Sequence, residues 1–72
     1  MTAYVAVCWP RVHWGGLGDC LAWASAQTGT AKVLRARAGE PSAVVVGELT
    51  ADGWRPIRDG RTVPLSKLHR HG

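Results

Sequence analysis

Residues Pro10 to Gly29 read PRVHWGGLGDCLAWASAQTG, and the arrangement of everything around them depends on how much of this segment is regular. Pro10 lacks a backbone donor, and Gly15, Gly16 and Gly18 offer no side chain to hold a regular element, so residues 10–18 read as a loop. Val12, Trp14 and Leu17 imply that this loop is packed down. Asp19 has the short acceptor of an N-cap, residues 20–28 favour helix, and Gly29 suits the left-handed position that follows one. Such a helix is about 13 Å long. Its apolar residues, from Cys20 through Leu21, Ala22, Trp23 and Ala24 to Ala26, run around the circumference. One side can pack on a sheet; the other needs cover from the loop, from a partner or, as a homodimer, from a second copy of the chain.

On the N-terminal side, Thr2 to Trp9 alternates Val5, Val7 and Trp9 with Tyr4, Ala6 and Cys8. Both faces are apolar, which predicts an interior strand covered on two sides. On the C-terminal side, Thr30 to Ala38 reads as a strand with Leu34, Ala36 and Ala38 on one face and Val33, Arg35 and Arg37 on the other. Gly39-Glu40-Pro41 turns the chain into a strand from Ala43 to Leu49. Asp52-Gly53 and Asp59-Gly60 are tight-turn signals. They bracket Trp54 to Arg58, an edge strand because of Pro56, and Arg61 to Leu65 with Pro64 reads the same way. A short helical turn follows from Ser66. The expectation is a single α+β domain over residues 1–68, ordered β-α-β-β-β with a fifth strand at its end, in which one short helix packs on a mostly antiparallel sheet. Residues 69–72 form a flexible basic tail, and an SH3-like small barrel is the alternative fold.

A chain of 72 residues makes one domain, and one this small buries only about 60% of the surface its unfolded form exposes. At roughly 0.05–0.15 kcal/mol per residue its stability is roughly 4–11 kcal/mol. The 46% hydrophobic fraction excludes a disordered composition. No basic segment leads into a long apolar stretch, and no run approaches the roughly 20 apolar residues of a membrane span. A soluble, cytoplasmic protein with reduced thiols is therefore expected, a Cys8–Cys20 disulfide being the minority alternative. Four tryptophans and no phenylalanine are many indoles for so small a core. Two or three belong inside and one or two at the surface, where an exposed tryptophan is a contact site.

Cys20 is the one candidate nucleophile, because a helix N-terminus stabilises a thiolate. The order of glycine loop, cysteine-opened helix, apolar strand SAVVVGEL and turn ADGW loosely resembles papain-like and peptidase C39-like cysteine hydrolases. That resemblance implies a hydrolase with Cys20 as nucleophile and a catalytic histidine at the start of the strand, where this chain has Ser42 or Ala43. His13 stands in the glycine loop, and His69 and His71 in the tail, so no imidazole is positioned for the thiolate. Cys8, His13 and Cys20 lack the paired short spacings of a structural zinc site. The segment GGLGD lacks the lysine and hydroxyl of a phosphate-binding loop. No catalytic centre, metal or cofactor is expected.

Charge is the remaining signal. Nine basic residues stand against five acidic ones, and seven of the nine are arginines, which favour bidentate contacts with phosphate or carboxylate. Arg35 and Arg37 share a strand face. With Arg55, Arg58, Arg61 and Trp54 beside them they would make one basic, aromatic surface, while Trp23 marks the uncovered helix. The functional expectation is a non-enzymatic binding or regulatory protein that docks through these residues on a larger protein or nucleoprotein complex. The alternatives are a small nucleic-acid-binding protein and the Cys20-dependent hydrolase.

Overall fold

The computed structural model describes residues 2–68. Strands β1 (Thr2–Cys8) and β2 (Arg11–Gly15) form a hairpin, helix α1 (Leu17–Ser25) follows, and β3 (Ala31–Arg37) and β4 (Ser42–Thr50) form a second hairpin. Two short strands, β5 (Gly53–Pro56) and β6 (Thr62–Pro64), lead into a 3₁₀ turn at Leu65–Lys67. The sheet runs β2-β1-β3-β4-β5 with β6 also on β4, and every pairing is antiparallel. This is an α+β domain, and the sheet is open: β2 and β5 lie at its opposite ends, not closed into a barrel. The tail expected at 69–72 lies outside the described residues. Among the described residues no helix is long and apolar enough to cross a membrane.

The segment from Pro10 to Gly18 departs from the loop expected of it. Trp9 and Pro10 make a tight turn with a cis peptide bond between them, and Arg11–Gly15 returns along β1 as a strand. Proline sits in the turn, where no ladder donor is needed, and the glycines lie at the strand's end and beyond, so neither breaks the pairing. The helix also begins earlier than Asp19 suggests. Gly16 is the N-cap, without a side-chain hydrogen bond, and its carbonyl accepts from the Cys20 N–H at 3.0 Å. Asp19 lies inside the first turn, where its charge favours the helix dipole.

β1 is an interior strand, flanked by β2 and β3, and both its faces are covered as its alternation predicts. On one face, hereafter the helix face, Ala6, Ala31 and Val33 are buried against Cys20 and Ala24 of α1. Small residues on both sides let the helix approach the sheet closely. On the far face, Val5, Val7, Leu34, Ala36, Ala43 and Val45 are buried beneath Leu68, which the C-terminal segment folds back onto them. A bulge opposite Val33 and Leu34, where Val33 pairs with Gly47 and Leu34 with Val45, leaves Val46 as the extra residue and turns β4 relative to β3.

Asp59-Gly60 does not form the strand-reversing turn expected from its composition. β5 and β6 pair one after the other along the same edge of β4, at Gly47–Thr50 and Ser42–Val44. Between them the Ile57 N–H bonds the Val46 carbonyl and the Val45 N–H bonds the Arg61 carbonyl, both at 3.0 Å. Gly60 lies so close to Val45 that any side chain there would collide with the Val45 carbonyl.

Candidate binding surface

The sheet divides the anticipated binding residues between its two faces. Tyr4, Arg35 and Val44 are level with one another across β1, β3 and β4, and the alternation from Ala6 and Val33 puts all three on the helix face. Arg35 is half-buried there, and Arg37, exposed, lies two residues along the same side. Trp54 is on this face too, its ring lying over the bare Cα of Gly47. Arg55, one residue on, points the other way and reaches Glu48 on the far face, Nη1 to Oε1 at 3.7 Å. Arg61 also lines the far face, and Arg58 is exposed in the loop between β5 and β6. Arg35 and Arg37 are therefore not brought together with Arg55 and Arg61.

None of the four indoles is fully buried. Trp9 is 61% exposed, Trp14 39% and Trp54 42%, and Trp23 is half-buried, stacked on the His13 ring with centroids 5.5 Å apart and an interplanar angle of 11°. The core is built of valine, alanine and leucine, so the division of two or three indoles inside does not hold. Aromatic area is displayed instead.

Trp9 and Trp14 were not among the anticipated contact residues, yet both lie on the far face. The signal was present: Val5, Val7 and Trp9 alternate in β1, and Val12 and Trp14 continue the same face once residues 11–15 are read as a strand. Trp14 pairs across from Val5, and its Nε1–H donates to the Leu68 carbonyl at 3.2 Å, tying the hairpin to the C-terminal segment. Trp9 edges a cleft of about 170 Å³ whose apolar walls include Val7, Leu34, Val45, Val63 and Leu68. Lys32 and Arg61 stand on its rim and continue into a second cleft of about 270 Å³ that includes Ile57, Glu48 and Asp59. An aliphatic floor, a large exposed ring and two cations can hold an apolar group that carries a carboxylate.

Cys20 occupies a different environment from a reactive thiol. It is fully buried, and its Sγ–H donates to the His13 carbonyl at 3.7 Å, while the His13 ring lies against Trp23. Burial raises the thiol above its ordinary value of 9.0; the backbone of Ala6 opposes this, the Asp19 charge adds to the rise, and the backbone of Gly15 opposes it least. Cys8 donates to the Thr28 carbonyl at 3.8 Å, and both cysteines are free thiols. Among the described residues no cluster of three or more His, Cys, Asp or Glu side chains could hold a metal ion. No protein-family model, curated protein or solved structure matches the chain.

Proposed function

We propose that this chain is a non-enzymatic binding protein that docks on a larger protein through its far face, with Trp9 as the aromatic anchor and Lys32 and Arg61 as partners for an acidic side chain. The observation that carries this reading is the exposure of Trp9 beside an apolar cleft whose two cations are shared with an adjoining charged cleft. A large ring held in water is unfavourable for a free monomer and becomes favourable when a partner covers it.

A protein partner is favoured over nucleic acid by the distribution of charge. Continuous phosphate tracking needs cations along one surface. Here Arg35 and Arg37 lie on one face and Arg55 and Arg61 serve the other, where Glu48 and Asp59 are interleaved with them. The hydrolase alternative is disfavoured because Cys20 is inaccessible and held as a thiol.

The test is capture of partners from a nuclease-treated lysate of the source cells on the immobilised chain, compared with Trp9→Ser and with Lys32→Glu/Arg61→Glu. The expected outcome is a set of bound proteins that survives nuclease and is lost with either far-face variant, while both variants keep the wild-type circular dichroism. Capture that disappears with nuclease, or that depends on Arg35 and Arg37 instead, would replace this reading with the nucleic-acid one.

A further inference from the structure

The two edges of the sheet are defended unequally. At the β5/β6 edge the strands are four and three residues long, each ends in a proline, and the ladder is interrupted between them. These are devices that stop another strand from pairing. At the other end β2 is a regular five-residue strand without proline or bulge, and among the described residues it is paired on one side alone.

The β1–β2 turn sets which groups of β2 are unpaired. Cys8 and Arg11 flank the tight turn and are directly opposite, so they form a hydrogen-bonded pair, and such pairs alternate along the ladder. Arg11, His13 and Gly15 consequently direct their backbone groups to β1. Val12 and Trp14 direct theirs outward, where no strand among the described residues meets them.

We propose that a second copy of this chain adds to the β2 edge, antiparallel, with the two-fold axis at His13. This is the register in which both outward residues are satisfied: Val12 and Trp14 of one copy exchange N–H···O=C bonds with Trp14 and Val12 of the other, and the sheet runs on through both molecules. The same register matches charge. Arg11 falls opposite Gly15 of the second copy, and the Asp19 carboxylate lies beside Gly15, since a Cβ built there would be 3.3 Å from Asp19 Oδ2. Arg11 and Asp19 are both exposed. Among the described residues Arg11 bonds only the neutral Gln27, Nη1 to Oε1 at 3.3 Å, and neither Arg11 nor Asp19 takes part in an ion pair. Each contact occurs twice by symmetry.

Apolar exposure is concentrated on the same edge. Of the four large exposed hydrophobic residues among those described, Trp14 lies in β2, Leu17 follows it and Trp9 forms its turn; Trp54 alone lies elsewhere. Continued past the strand, the register brings Trp14 against Val12 of the second copy and the Trp9–Pro10 turn toward its Gly16 and Leu17. The proposal shares Trp9 with the far-face reading, but it rests on backbone groups of β2 and on the Arg11 and Asp19 charges and not on Lys32 or Arg61.

The test is sedimentation equilibrium of the full chain over a range of concentrations, with amide hydrogen exchange read at Val12 and Trp14. The expected result is a reversible dimer in which these two amides gain protection as concentration rises. Arg11→Asp or Asp19→Arg alone should weaken the dimer about tenfold, and the two together, which restore opposite charges across the axis, should recover it. Ala22→Arg, on the exposed side of α1, should leave it unchanged. A monomer at all concentrations overturns the proposal, as does a dimer in which Val12 and Trp14 exchange as in the monomer, or one disrupted by Ala22→Arg and indifferent to Arg11.

Discussion

At the scale of single residues, Cys20 shows how position in the fold overrides position in the sequence. A cysteine in the first turn of a helix has the dipole to favour a thiolate, but desolvation dominates once the sulfur is fully covered. Because the folded thiol titrates above its ordinary value, the unfolded chain releases its proton first. The stabilisation is complete below about pH 9 and declines as pH rises through the folded value. Urea unfolding of wild type against Cys20→Ala should accordingly show the difference in stability shrinking as pH climbs past 9, and a maleimide should label half-buried Cys8 well before Cys20 at neutral pH. Two glycines respond differently to a methyl group. At Gly47 the obstacle is mainly the far rim of the Trp54 ring, which can swing outward, whereas at Gly60 it is the backbone of Val45. Gly60→Ala should cost more than about 2 kcal/mol in denaturant unfolding, clearly more than Gly47→Ala, which should instead shift tryptophan emission toward that of a more exposed indole.

At the scale of elements, the strands with plain alternation or dense β-branching, β1, β3 and β4, were legible, because period-2 burial leaves the same mark on sequence and structure. β2 was not. Its flanking proline and glycines carry turn signals that belong to its ends, and five residues are too few for Val12 and Trp14 to outweigh them. The edge strands were legible as edges from Pro56 and Pro64, but that both lie along one side of β4 depends on the close approach of Gly60 to Val45, which no local pattern records. The candidate surface suffered most from this. With residues 10–18 read as a loop, Trp14 had no face, and Arg35 could not be separated from Arg55 without knowing the register of β4. Helix α1 was recognised but displaced, since Gly16 caps it through its backbone and the better-looking cap, Asp19, is internal. Gly18 within this helix has open space around it, so Gly18→Ala should stabilise the protein by about 0.5–1 kcal/mol through backbone entropy and helix propensity. An increase in the urea midpoint with unchanged slope would register it.

At the scale of the whole molecule, one sheet separates two thin cores, and neither contains an aromatic ring among its buried members. Leu68, fully buried, is one of the two largest side chains completely enclosed anywhere in the described structure. Leu68→Ala should cost about 2–5 kcal/mol, a large share of the roughly 4–11 kcal/mol available to a chain of this length. Thermal unfolding should then begin near room temperature while the secondary structure at low temperature is retained. The bulge in β4 has a consequence of another kind, for insertions and deletions. Val33 already faces Gly47 and Leu34 already faces Val45, with Val46 the surplus residue, so excising Val46 would straighten the ladder and leave every remaining side chain in its own layer. Excising Glu48 or Val44 would invert the layers for the rest of the strand. Position 46 is thus where this strand can change in length and still deliver its residues to the correct side.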